Sequence, residues 1–130
     1  MNLEDLLKKT VEVDGSDLHI TVGTPPRVRK GGSLLTMGDQ KLMSDEVKSL
    51  VESKMNKEQI GRFNNGEEID YSIGIPGLSR FRVNVFKQRG NIAAAYRRLP
   101  FDAPELEKLG LPASVIELSE RRKGLVLITG

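Results

Sequence analysis

Six basic residues, Arg80, Arg82, Lys87, Arg89, Arg97 and Arg98, fall between Asp70 and Asp102, an interval that holds no carboxylate. Their spacing decides what they can do. From Glu68 the sequence alternates: Ile69, Tyr71, Ile73 and Ile75 are separated by Asp70, Ser72 and Gly74. After Pro76-Gly77, Phe81, Val83 and Val85 are separated by Arg82 and Asn84, and a further run extends from Ile92 to about Leu99. This period of two predicts an antiparallel meander. A turn at Arg89-Gly90, or one widened to Gln88–Asn91, sets a single register. Val83 then faces Tyr96, Val85 faces Ala94, Lys87 faces Ile92, and Arg82 lies directly opposite Arg97. Phe81, Val83, Val85, Ala94 and Tyr96 share one face as core. Arg80, Arg82, Asn84 and Arg97 share the other. Like charges directly opposite repel. A bound anion relieves that repulsion, and two guanidinium forks match phosphate oxygens. The expected chemistry is phosphate binding; the competing reading is a solvated basic face that serves solubility alone.

The elements that must position this hairpin are also legible. Leu3, Leu6, Leu7 and Val11 form a helical stripe over about residues 3–11, with Asn2 as cap. Leu18, Ile20 and Val22 alternate with His19 and Thr21 in a strand that Thr24-Pro25-Pro26 breaks. Strands around Arg27–Lys30 and Ser33–Met37 flank the turn signal Gly31-Gly32. Ser44 reads as an N-cap ahead of a stripe of Val47, Leu50 and Val51. Asn56 and Gln59 make a capping-box start for a short helix carrying Ile60 and Phe63, which ends at Asn64-Asn65-Gly66. Pro100–Pro104 reads as a linker, and two short helices are expected around Pro104–Leu109 and Pro112–Arg122.

Composition removes other chemistries. The chain has 130 residues, 38% hydrophobic and 29% charged, with a net charge of +2. That is a globular balance and no polycation. With no cysteine and one histidine, His19, a disulfide framework, thiol catalysis and a multi-His metal site are excluded. No metal site is expected. The longest apolar run, Leu125–Ile128, is far short of a membrane span. Without a basic, apolar leader at Met1–Asp5, a soluble cytoplasmic protein is expected. His19 reads as a structural hydrogen-bonding residue, Asp17 as a shaper of the turn before its strand, and Glu67 and Glu68 as solvated. Tyr71 and Tyr96 fit core positions.

The last seven residues, Gly124-Leu125-Val126-Leu127-Ile128-Thr129-Gly130, read as a buried parallel strand running into a Gly-rich loop. Gly130 could open a phosphate-binding G-x-x-x-x-G-K-[ST] loop. An apolar strand with no later partners suggests a truncated chain. The segment after about Glu120 is therefore expected to be disordered or packed on another chain.

Three stretches now resemble a known family. Ser16-Asp17-Leu18-His19-Ile20-Thr21-Val22-Gly23-Thr24-Pro25-Pro26, Gly77–Phe86 and Gly124–Gly130 are similar, in order, to motifs of the PilT-like retraction ATPases of type IV pili, which serve twitching motility and are related to the secretion ATPases. The resemblance implies an α+β fold: a PAS-like N-terminal domain, with an antiparallel sheet flanked by helices, over residues 1–99. A linker at 100–111 and the first strand of a missing RecA-like domain at 112–130 would follow. It implies a homo-hexamer in which ATP, with Mg2+, lies between one subunit's catalytic domain and the neighbour's N-terminal domain. Arg82 and Arg97, fifteen residues apart, match the arginines that reach the neighbour's phosphates. Arg80 and Arg98 are neighbours whose roles the sequence does not separate. Gly130 matches the start of Walker A. The Walker lysine and all later catalytic motifs are absent, so this chain is expected to be no enzyme itself and to bind no nucleotide tightly. The implied partners are the adjacent subunit's RecA-like domain and an inner-membrane pilus platform protein, with a cytoplasmic location at that membrane. Pro100–Pro104 would be the hinge. The rivals are a stand-alone PAS-like sensor and a nucleic-acid-binding module using the basic hairpin 80–98; no nucleic acid is expected, because net charge is low and aromatics are few.

Overall fold

The computed structural model describes residues 2–101 and 103–130. Met1, in the expected first domain, and Asp102, in the expected linker, lie outside the described residues. Helix α1 (Leu3–Glu12) is followed by strands β1 (Asp17–Ile20), β2 (Arg27–Lys30) and β3 (Ser33–Thr36). Helices α2 (Ser44–Glu52) and α3 (Lys57–Asn64) lead into β4 (Ile69–Ile75), β5 (Ser79–Gln88) and β6 (Asn91–Leu99). The six strands form one antiparallel sheet in the order β3-β2-β1-β6-β5-β4. The expected mixed α+β architecture is therefore present.

One sheet face is the core face. Leu18, Ile20, Phe81, Val83, Val85, Ala94 and Tyr96 form one cluster with Leu3, Leu6 and Leu7 of α1, Val47, Leu50 and Val51 of α2, and Phe63 of α3. The helices thus cover the face opposite to Arg82 and Arg97. In α1 the Asn2 side chain accepts a hydrogen bond from the Asp5 N–H at 2.8 Å, as its cap position requires. Leu3, Leu6, Leu7 and Thr10 are fully buried, and Val11 packs partly buried against the same cluster. Thr10 tolerates burial because its hydroxyl donates to the Leu6 carbonyl at 2.8 Å. The α2 start also differs from expectation: Met43 holds the cap position, and the Glu46 carboxylate accepts from its N–H at 2.7 Å. The Ser44 hydroxyl instead bonds Asn91 of β6 at 3.1 Å. The Asn56–Gln59 capping box of α3 forms as read, with both bonds in place at 2.8 and 2.9 Å.

Strand β1 stops at Ile20 rather than Val22, where the Thr21 and Thr24 hydroxyls bond each other across the bend at 3.0 Å. The β5–β6 turn is the two-residue one, with Gln88 opposite Asn91. Arg89 and Gly90 both take positive φ, +51° and +79°, which matches the right-handed twist of the strands they join. Gly15 has a different constraint. A Cβ there would overlap Val28 Cγ2 and sit 3.0 Å from the Thr10 carbonyl oxygen. Val28 is itself buried. Gly15→Ala should therefore cost about 1–3 kcal/mol through overpacking. Urea denaturation measures it, and a loss below about 0.5 kcal/mol would show that β2 can shift freely away from α1.

Beyond Leu99 the described chain holds a 3-10 turn at Leu106–Leu109 and helix α4 (Ala113–Ser119), both shorter than expected. No strand forms within Gly124–Gly130, and Leu125, Val126, Leu127 and Ile128 are exposed. A strand needs a ladder partner, and none of the described strands pairs with this segment. Among the described residues, no helix is long and apolar enough to cross a membrane.

Candidate functional site

The face of the sheet away from the helices is organised in transverse rows. One row crosses every strand: Ser72 (β4), Arg82 (β5), Arg97 (β6), Asp17 (β1), Arg29 (β2) and Leu34 (β3) are successive cross-strand partners. The next row reads Asp70, Asn84, Ala95, His19, Arg27 and Thr36. Arg82 and Arg97 are thus directly opposed, and both side chains are mostly exposed, at 68% and 70%.

Carboxylates flank the pair. Arg97 Nε donates to Asp17 Oδ1 at 2.9 Å, and Arg82 Nε lies 3.6 Å from Asp70 Oδ1. Asp17 also accepts from the Ser16 hydroxyl at 2.8 Å and lies 3.9 Å from Arg29 Nε. Asn84 Nδ2 donates to Asp70 at 3.3 Å. The repulsion between the two guanidinium groups is therefore already moderated from within the chain, which the sequence argument for a bound anion did not include. A shallow cavity of about 400 Å³ opens over these groups, lined by Arg82, Arg97, Asp17, Asp70, His19 and Asn84.

The four arginines separate by face. Arg80 lies two residues from Arg82 on the same face, 3.5 Å from the Ser72 hydroxyl. Arg98 pairs with Phe81 on the helix side of the sheet, and its Nη1 donates to Asp14 at 2.9 Å. Gly130 is remote in sequence from this cluster and carries no regular structure. Glu67 is paired with Arg62 at 2.8 Å. Tyr96 is fully buried and Tyr71 partly so. Burial pushes the Tyr71 hydroxyl up to about 12 and Tyr96 further still, so neither serves as an acid or base near neutrality.

Asp17 and His19 were read from sequence as structural, and both line the cavity. The signal was present: alternation with Leu18 and Ile20 puts them on the outward face. What it did not supply was β6 as the neighbour of β1. Burial pulls the His19 imidazole below its usual range and keeps it neutral, and Nε2 has no partner among the described residues. At Asp17, burial alone would raise the carboxyl, but the Arg97 and Ser16 hydrogen bonds and the nearby positive charge outweigh it, and the net shift is downward. A depressed carboxyl contributes stability that is fully present above its unfolded value and is lost as pH falls through the folded one. The stability advantage of the natural chain over Asp17→Asn should therefore be constant near neutrality and shrink below about pH 4. Urea midpoints across that range test it; an advantage independent of pH would remove the charged Asp17–Arg97 bond from the stability of the fold.

No group of three or more His, Asp or Glu among the described residues could hold a metal ion. No protein-family model matches the chain. It is 35% identical over all 130 residues to the type IV pilus ATPase PilU of Pseudomonas aeruginosa, and spans 34% of that protein. It is 34% identical, again over 130 residues, to the type IV pilus retraction ATPase PilT of the same organism, spanning 38% of it. The crystal structure of the pilus retraction motor PilT with bound ADP superposes with a TM-score of 0.80 at 37% identity, over 93% of this chain and 36% of that one. The chain thus spans about a third of the length of these relatives. In fold and in sequence the chain is similar to an α+β portion of these pilus ATPases. The chain is a homologue of the PilT-like, twitching-motility ATPases and matches their N-terminal domain.

Proposed function

We propose that this chain is the N-terminal part of a hexameric motor ATPase that powers type IV pilus retraction. In this reading Arg82 and Arg97 act in trans on ATP held by the catalytic domain of the adjacent subunit. The carrying observation is that Arg82 and Arg97 are direct cross-strand partners with exposed side chains on the sheet face that the helices leave open. Each is engaged at Nε, so its terminal nitrogens remain for an acceptor. Paired forks stabilise charge that builds on transferring phosphoryl oxygens, and they do so without reorganising. Residues 1–99 form the arginine-bearing domain, 100–111 the linker with its hinge at Pro100–Pro104, and 112–130 the start of the catalytic domain, with Gly130 opening Walker A. The phosphate-binding lysine and the Mg2+ ligands belong to that catalytic domain, so the chain alone hydrolyses nothing. Its location is cytoplasmic, at the inner membrane, through a pilus platform protein. The flanking Asp17 and Asp70 favour a compact phosphate cluster over a track for nucleic acid.

The test is hydrolysis by the full-length parent carrying Arg82→Ala or Arg97→Ala, with both domains shown to be folded. Unchanged hydrolysis in both variants overturns the reading.

A further inference from the structure

We infer that Asp17 is a positioning residue for phosphate recognition: it grips Arg97 at Nε and fixes the direction in which the terminal nitrogens of that guanidinium are offered. This rests on the phosphate reading of the arginine pair. Arg97 is 70% exposed, and an exposed arginine ordinarily samples many rotamers. Here its inner edge is tied to a nearly buried carboxylate that is itself held by other groups. The Asp17 side chain is 9% exposed and is held by the Ser16 hydroxyl at 2.8 Å, by Arg97 at 2.9 Å and by Arg29 at 3.9 Å. The ordering of Arg97 is thus completed on folding, before any phosphate arrives. Asp70 does the same for Arg82 less firmly, being 55% exposed and 3.6 Å from Nε.

Simple electrostatics points the other way. Asp17 is a negative charge beside an anion site, so its removal should strengthen phosphate binding. Positioning demands that removal weaken it. The two accounts differ in sign, which makes the question decidable.

The experiment uses this 130-residue chain and inorganic tripolyphosphate at low salt. Binding is followed through the arginine Nε–Hε signals in ¹H–¹⁵N NMR spectra. In the natural chain Arg97 should give a distinct, slowly exchanging Hε signal, and both Arg82 and Arg97 should shift on titration. Asp17→Asn keeps the volume and removes the charge. It should move the Arg97 signal to the position of a solvated arginine and weaken binding about 3- to 10-fold. Asp14→Asn removes an equal charge on the other face, where Asp14 pairs with Arg98, and should leave binding within about twofold. Equal or tighter binding by Asp17→Asn, or an unchanged Arg97 signal, overturns the positioning role. A natural chain whose Arg82 and Arg97 signals ignore tripolyphosphate overturns this inference, whereas the trans-acting phosphate reading fails only on unchanged hydrolysis by the full-length parent carrying Arg82→Ala or Arg97→Ala. Both outcomes leave that reading standing, so the two failures are distinct.

Discussion

In the full-length parent, Arg82→Ala and Arg97→Ala should each lower kcat for ATP hydrolysis by about 10²-fold or more, the scale of a lost charge-stabilising donor in phosphoryl transfer. KM for ATP should move far less, because in the proposed reading the adjacent catalytic domain supplies most ground-state binding. Lysine should not rescue either position. A point charge cannot reproduce two parallel N–H donors in a plane. The two variants should differ in stability even where they agree in activity. Arg82 lies in an exposed ion pair with Asp70, and its loss should change stability by under about 0.5 kcal/mol. Arg97 is the nearest charged partner of a nearly buried carboxylate, and its loss should cost about 1–3 kcal/mol. Hydrolysis at the natural rate in both variants, or equal stabilities, would contradict the site as built here.

The second large effect lies on the opposite face of the same hairpin. Phe81→Ala should destabilise the domain by about 3–5 kcal/mol. Phe81 is wholly buried on an interior strand, paired with Ile73 on one side and Arg98 on the other. Truncation leaves a cavity between strand and helices that a sheet anchored on both sides closes poorly. For a domain of this size that is a fall in Tm of about 10–20 °C, readable by circular dichroism. Asn84→Ala, on the outward side of β5, is the matched control and should shift Tm by no more than about 2 °C. A loss below about 1 kcal/mol at Phe81 would mean that the core is not centred on this strand.

The register of the hairpin was readable because two local signals agreed. Arg89-Gly90 fixed the turn, and strict alternation on both strands fixed the faces, so Val83–Tyr96 and Arg82–Arg97 followed. Local chemistry likewise exposed the Asn2 cap and the Asn56–Gln59 box. It failed where the answer was tertiary. Thr10 joins the buried stripe beside a partly buried Val11 because a satisfied hydroxyl can be buried. Ser44 bonds a residue of β6 instead of capping its helix. Nothing within reach of Asp17 in sequence announces that β1 will lie beside β6, so a clamp on Arg97 looked like a turn former. Asp70 looked like the boundary of a basic interval, although alternation already placed it on the face that carries Arg82.

The neighbouring of β1 and β6 also sets a timetable. Asp17 and Arg97 are 80 residues apart in sequence yet hydrogen-bonded. On a ribosome, α1 and the β1–β3 ribbon emerge and can pair locally long before β6 exists. The arginine pair itself is local to the β5–β6 hairpin, but its clamp requires closure of a long loop between β1 and β6, a slow and entropically costly step for a sheet of this topology. A nascent or half-unfolded domain therefore offers loose arginines, and only a completed one offers a fixed fork. The geometry of this surface is thus a readout of finished folding.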